Sequence, residues 1–399
     1  MSRIRVVQLV AGIAIGEQSG GAEQIALHVA RLLDGHEFES IVFAMRGYGS
    51  SVEKRWQVRL AEEGIPVHGL LPGTGAPLWD MRRALDALWT FVNEYQPDLI
   101  NSHSERGDAL NAFLRVLHPR HPRAVRTMHT DQQWQTRPNT GMLLTQAVFP
   151  CVFDAEIAVS QSVHSALAAR PLAQFIHRSY ALCYEGIDAE LFDIPPTSRE
   201  EASLPPSLPK EHPRIGIVGR LAWQKGHTFL LQAMPLIQQV SPVHLIVIGS
   251  GELEQELQRE CTDLGIESCV HFLGSRDDVQ SIIPHLDVLV SASLWEGLPA
   301  VILEAMALSV PVVATDVSGS REVVQAGRTG RLVPVAQPSA LAQAILETLA
   351  DPIDAKRMAE NARSVATRFT VQNATPCYAQ VYREVVIYRA GPSRRSRSA

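Results

Sequence analysis

Two carboxylates, Glu296 and Glu304, lie on either side of Pro299 in the stretch SLWEGLPAVILEAMA. Proline is favoured at the first helical position, where its missing donor would have no partner anyway. The run AVILEAMAL therefore predicts a helix opening at Pro299, with Glu304 about one and a half turns in. The free amides and positive dipole end of such a start attract an anion, and Gly297, Leu298 and Pro299 bring the backbone to it. An acid on each side is suited to accept from paired hydroxyls, as on a sugar. Taken alone, either glutamate reads as an ordinary surface acid, so their standing rests on what accompanies them.

The accompaniment is cationic. In IGIVGRLAWQKGHTFLLQA an apolar strand ends at Gly219, and Arg220 and Lys225 come out of the loop that follows. An arginine fork and a lysine point charge together suit a diphosphate. Gly249 and Gly251 in LIVIGSGELEQ open a helix, but a Gly-x-Gly turn arises for backbone reasons alone. No matching acid follows the next strand, which argues against a dinucleotide. In VHFLGSRDDV, Asp277 or Asp278 reads first as an N-cap. In the first half, His129 of TMHTD and His103 of NSHSERGD each end a strand, and Gly20 and Gly21 precede a helix that carries Glu23 in its first turn, where an acid offsets the dipole.

Strands and helices alternate around these residues. In the first half, strands are predicted at Val6–Val10, Ser40–Ala44, Ile65–Leu70, Asp98–Ser102, Ala124–Met128, Glu156–Val159 and Tyr180–Tyr184, and a second series runs from Arg214 to Val333. This alternation predicts an α/β protein with two doubly wound parallel sheets. The expected domains are residues 1–190 and 214–372, a proline-rich linker at 191–213, a helix over 373–390 crossing back to the first domain, and a disordered tail at 391–399.

With 399 residues, two domains are the default. A hydrophobic content of 46% and a charged content of 20% are ordinary globular values. The net charge of -6 argues against a nucleic-acid-coating surface. Five widely spaced cysteines without a Cys-x-x-Cys pair read as reduced, cytosolic thiols, with neither a disulfide frame nor a zinc site. Arg3 and Arg5 precede an apolar run, but Gln8 and Gly12 interrupt it and an amphipathic helix follows, which favours a core strand over an export signal. The apolar runs are too short to span a bilayer. The expected location is the cytoplasm, with peripheral membrane contact as an option.

In their order, GRLAWQKG, VIGSGE, VHFLGSRDDV and SLWEGLPAVILEAMALSVPVVATDVSGSREVV resemble the GT-B glycosyltransferases of family GT4. The likeness covers nearly the whole chain, and its most specific part is the Glu-x7-Glu spacing of Glu296 and Glu304 within that order. SGGAEQIALHVARLL and CYEGIDAELF also fit. The resemblance implies two Rossmann-like domains facing across a cleft, and a retaining transfer from a UDP-, GDP- or ADP-sugar. It further implies that Arg220 and Lys225 bind the donor diphosphate, Glu304 holds the ribose, and Glu296 lies near the donor sugar. His129 would approach that sugar from the first domain, and Gly20 and Gly21 would close on the phosphates and acceptor. Glu185 and Ala300 depart from the family pattern, where asparagine is usual at both places.

The catalytic set expected is thus His129, Glu296, Arg220 and Lys225. No Asp-x-Asp or metal-shell pattern occurs, so no obligatory cofactor or divalent ion is expected, and fixed cations stabilise the leaving diphosphate. The acceptor is expected to be a carbohydrate or a lipid-linked sugar. Lys54, Arg55, Trp56 and Arg59 form a basic aromatic cluster suited to anionic lipid or to a solvated helix face, and Arg394, Arg395 and Arg397 add charge to the tail. A sugar-nucleotide epimerase and a non-catalytic nucleotide-sugar binder are the competing readings.

Overall fold

The computed structural model describes residues 3–15, 20–74, 76–134, 137–176, 180–193 and 211–387. The chain forms two units, passing from the first to the second between Tyr184 and Glu185 and returning between Val371 and Gln372. The predicted tail at 391–399 and most of the proline-rich linker lie outside the described residues.

The first unit runs β1 (Ile4–Val10), α1 (Gly21–Leu32), β2 (Phe38–Ala44), α2 (Ser51–Glu62), β3 (Val67–Gly69), α3 (Pro77–Tyr95), β4 (Leu99–Ser102), α4 (Glu105–Leu117) and β5 (Arg123–Met128). It continues through α5 (Pro138–Leu143), a π-helical turn (Leu144–Val148), α6 (Phe149–Val152), β6 (Ala155–Ala158), α7 (Gln161–Ala168), α8 (Pro171–Phe175) and β7 (Ala181–Leu182). The strands make one parallel sheet in the order β3-β2-β1-β4-β5-β6-β7. Strands buried on both faces need continuous apolar runs, and Val7, Leu9, Ile41, Phe43 and Ile100 meet Leu88, Phe91 and Val92 of α3 and Leu110 and Leu114 of α4.

The second unit runs β8 (Arg214–Val218), α9 (His227–Gln238), β9 (His244–Ile248), α10 (Glu254–Leu264), β10 (Val270–Phe272), α11 (Val279–Ile282), β11 (Val288–Ser291) and α12 (Ala300–Ala307). Then come β12 (Val312–Thr315), α13 (Ser318–Val323), β13 (Arg331–Val333), α14 (Pro338–Ala350) and α15 (Pro352–Ala366). Its parallel sheet has the order β10-β9-β8-β11-β12-β13. Ile215, Leu245, Val247, Val288 and Val290 pack with Leu230 and Met234 of α9 and Leu341 and Ile345 of α14. Burying each such side chain contributes about 1.5–3 kcal/mol.

The last helix, α16 (Val371–Ile387), packs almost wholly with the first unit. Tyr378 and Tyr382 are fully buried, the Tyr382 ring meets Phe38 edge-on at 6.4 Å, and Arg383 grips Glu37 with two bonds of 2.6 and 2.7 Å. Here the reading of five reduced cysteines is overturned: Cys183, just after β7, is disulfide-bonded to Cys377 of α16. The pair is 194 residues apart in sequence, and only the return of α16 to the first unit brings the two sulfurs together. Cys151, Cys261 and Cys269 remain thiols. Among the described residues no helix is long and apolar enough to cross a membrane.

Candidate active site

In the second sheet the strand order reverses between β8 and β11, which are neighbours. Chains leaving a switch point diverge to opposite faces and open a crevice at the carboxyl ends of the strands, where ligands of open α/β sheets bind. The β8–α9 loop carries Arg220 and Lys225, and the β11–α12 loop carries Glu296, so the topology brings together residues 71 positions apart. Lys225 Nζ lies 2.6 Å from Glu296 Oε1, and Ser293 Oγ donates to the same oxygen at 2.7 Å. Glu296 is buried and Lys225 about one quarter exposed.

The two loops are also tied through their backbones. The Leu294 amide donates to Gln224 O at 2.8 Å, and Gln224 Nε2 donates to Trp295 O at 3.0 Å. Two glycines permit close packing beside them. A Cβ at Gly249 would lie 1.9 Å from Gly219 O, and one at Gly251 2.4 Å from Leu221 O, so neither site admits a side chain. Their structural role is to let the β8 and β9 loops pack against each other. Arg220 projects from this packed base, exposed, and among the described residues it makes no ion pair.

The helix start falls one residue later than predicted. Pro299 is the N-cap, at φ −81° and ψ 97°, and the first helical residue is Ala300. A cap keeps an extended ψ while its carbonyl already accepts within the helix, and the Ile302 amide donates to Pro299 O at 3.1 Å. Leu298 is buried beneath this turn. Glu304 lies about one turn into α12, partly open to solvent, and its carboxylate has no hydrogen-bonding partner among the described residues. Burial, with no compensating donor, pushes its pKa from 4.5 up to about 7. An acid held in this state gains from any ligand that brings hydroxyl donors.

Asp278 is the N-cap of α11, yet its carboxylate does not cap the helix; it pairs with Arg276 through bonds of 2.7 and 2.6 Å. The fork of a guanidinium two residues away outcompetes a single backbone amide.

In the first unit, His129 follows β5 and is half-buried, while His103 follows β4 and is fully buried. Their rings meet with His103 Nδ1 3.1 Å from His129 Nε2. His103 Nε2 lies 2.8 Å from the Gln8 amide oxygen and 3.0 Å from Asn101 Nδ2. Burial and the neighbouring His129 hold the His103 pKa well below its usual value, so His103 is neutral. Behind it, Asn101 Nδ2 lies 2.8 Å from the Tyr382 hydroxyl and 3.0 Å from Thr127 Oγ1. His103 is therefore enclosed in a polar network behind His129.

Glu23 is buried in the first turn of α1 and Gly21 is its first residue. A Cβ on Gly21 would meet nothing within 4 Å, so packing does not demand glycine there. Gly20 is exposed, and residues 16–19 before it lie outside the described residues. On α2, Trp56 packs edge-on to His28 at 6.2 Å and lies under the Arg59 guanidinium at 5.4 Å, while Lys54 and Arg55 are exposed. Trp56 is thus partly engaged within the protein. Among the described residues no group of three or more His, Cys, Asp or Glu is placed to hold a metal ion.

Two Rossmann-like units with their switch-point loops define the GT-B fold class. Residues 19–191 match the family model Glycosyltransferase Family 4, and residues 198–365 match Glycosyl transferases group 1. The chain belongs to the GT4 family of GT-B glycosyltransferases. A D-inositol 3-phosphate glycosyltransferase of Corynebacterium urealyticum is 32% identical over 255 residues, 61% of this chain and 58% of that protein. The chain spans about half the length, or less, of an uncharacterised Methanocaldococcus jannaschii glycosyltransferase, MJ1607 (44%), and of other curated relatives. Among solved structures, Anabaena Alr3699/HepE in complex with UDP-glucose has a TM-score of 0.76 at 22% identity, covering 98% of this chain and 100% of that one. Sucrose-phosphate synthase from Thermosynechococcus elongatus has a TM-score of 0.80 at 22% identity, with the same coverage.

Proposed function

We propose that this protein transfers a sugar from a nucleoside-diphosphate donor to a hydroxyl acceptor, with retention of anomeric configuration, in the synthesis of cell-surface polysaccharide or glycolipid. The observation that carries the reading is the unpartnered, partly buried Glu304 on the same switch-point edge as Arg220 and the Lys225–Glu296 pair. In this reading the ribose diol donates to Glu304 and supplies the hydrogen bonds that the carboxylate lacks. Arg220, Lys225 and the α12 amides receive the diphosphate. As the sugar–phosphate bond breaks, charge grows on the leaving oxygen, and fixed cations already in place stabilise it without reorganisation.

Glu296 holds the Lys225 ammonium at 2.6 Å, so it both orients that cation and stands close to the sugar-bearing phosphate. His129, steadied by His103, serves the transferred sugar from the first unit, and Gly20 and Gly21 attend the phosphates. The acceptor is a carbohydrate or a lipid-linked sugar. The base is uracil, guanine or adenine, with UDP favoured because HepE was solved with UDP-glucose.

The test is a screen of donor turnover with UDP-, GDP- and ADP-sugars. One donor should be hydrolysed slowly without acceptor, and Glu296→Ala and Arg220→Ala should lower that turnover by a factor of about 100 or more, since each removes a charge-assisted contact. Wild-type turnover in both variants sinks the site assignment. Acceptor-independent isomerisation of the donor would instead establish the epimerase reading, and tight donor binding without any turnover the non-catalytic one.

A further inference from the structure

The first unit contains a cavity of about 100 Å³ at the carboxyl end of its own sheet, between Arg46 and Tyr48 after β2, the turn at Gly73 after β3, Arg83 of α3, and Arg106 in the first turn of α4. That volume holds roughly three waters, the space of one small oxyanion. β1 and β4 are neighbours in this sheet and its order reverses between them, so this edge is the first unit's own switch point.

The charge on the cavity is unbalanced. Three arginines line it against one carboxylate, Asp80, whose oxygen already accepts from the Thr74 amide at 2.9 Å and the Thr74 hydroxyl at 2.7 Å. Arg83 donates to Pro72 O at 3.0 Å, which fixes its guanidinium at the rim. Arg46 and Arg106 are exposed and make no ion pair among the described residues. The Arg46 guanidinium lies over the Tyr48 ring at 5.2 Å, and a Cβ on Gly73 would come within 2.6 Å of it, so glycine at that turn is what lets Arg46 lie across the mouth. Burial raises the Tyr48 pKa and keeps its hydroxyl a donor. Forked cations and a phenol converging on one cavity are a recognition set for an oxyanion.

The donor diphosphate already has its cations in the second unit, so this set serves another ligand. We propose that the acceptor carries an oxyanion, a phosphate monoester or a carboxylate, and that Arg46, Arg83, Arg106 and Tyr48 bind it. The inference rests on the transferase reading above and adds the chemical class of its acceptor.

Isothermal titration of the full chain with saturating UDP tests it, using glucose 6-phosphate, glucuronate and glucose as probes that share a ring and differ in charge. Glucose 6-phosphate, glucuronate or both should bind at least about tenfold tighter than glucose. The Arg46→Ala, Arg106→Ala double variant should lose about tenfold or more of that affinity, with the UDP affinity unchanged as evidence of intact folding. Equal binding of glucose, or undiminished anion binding in the double variant, overturns the inference. The same titrations on Arg220→Ala without UDP judge the cavity independently of the donor site. Failure of UDP to bind the wild-type protein would refute the transferase reading while leaving this result to decide the cavity.

Discussion

Replacing Glu304 by glutamine should stabilise the unliganded protein at alkaline pH while weakening nucleotide affinity. The fold holds this carboxyl's pKa at about 7, against 4.5 for an exposed glutamate, because burial opposes ionisation and no donor compensates. Between those values the folded protein keeps a proton that the unfolded chain releases, so stability falls as pH rises. The contribution is fully present below pH 4.5 and lost once pH exceeds 7. At about 1.4 kcal/mol per pH unit, the full loss is about 3 kcal/mol. Since Glu304 is partly open to water, which screens the penalty, that figure is a ceiling. Glutamine never ionises and escapes it. Urea denaturation of both proteins from pH 5 to pH 8 should give a difference of about 1 kcal/mol or less at the acid end, growing towards about 3 kcal/mol in favour of the variant at the alkaline end. UDP should bind the variant some ten- to hundredfold more weakly, since hydrogen bonds to a charged acceptor are worth about 1.5–3 kcal/mol. A difference that stays flat across the pH range would refute the burial argument, and unchanged UDP binding would refute the ribose assignment.

Arg126 is wholly buried between Asp108 at 3.2 Å and Glu156 at 2.8 Å, with its guanidinium over Phe149 at 4.6 Å. Arg126→Met should cost about 3–5 kcal/mol in urea denaturation, because it leaves buried Asp108 without its cation while Glu156 keeps Arg170, and adding Asp108→Asn should recover part of the loss; a cost under about 1 kcal/mol refutes the network's role. Denatured without reductant, the protein should show three reactive thiols, Cys151, Cys261 and Cys269, and after reduction five; five from the outset would contradict the Cys183–Cys377 bond. Cross-linking a loop of 194 residues is worth at most about 5 kcal/mol by chain entropy, so reductant should also lower the melting temperature. Tyr382→Phe removes the hydroxyl that meets Asn101 at 2.8 Å and Gln8 at 3.1 Å; it should cost about 1–3 kcal/mol and lower kcat with UDP affinity intact, and unchanged kcat would separate this network from His129.

What was legible in the sequence follows from range. Apolar runs such as HLIVI make a strand wherever both faces are covered, and β9 occupies the predicted His244–Ile248. Pro299 marked the start of α12 to within one residue because proline acts on its own dihedrals. Among the segments absent from the sequence reading is one whose pattern is shared between neighbours. Between β5 and β6, α5, the π-helical turn and α6 form one continuous helical stretch broken in register, and no period of 3.6 survives such a break. The polar and covalent contacts made by α16 were also hidden. Cys377 and Tyr382 meet Cys183, Gln8 and Asn101 only after the chain has built a whole second unit and come back.

The site divides along the same line. Arg220, Lys225 and Glu296 were each readable as residues in a strand-to-helix loop, and Glu304 as one in the helix that follows, all local properties. That Lys225 and Glu296 would form an ion pair was not readable, because it depends on β8 and β11 being sheet neighbours though β9 and β10 lie between them in sequence. A right-handed crossover rule and a reversal of winding give that adjacency, and neither leaves a mark on any one stretch. The same reversal between β1 and β4 gathers Arg46, Arg83 and Arg106 from three separate connections. Three scattered arginines carry no signal in sequence. Around one cavity lined by a single and already engaged carboxylate, they make the cationic set that the proposed oxyanion would meet.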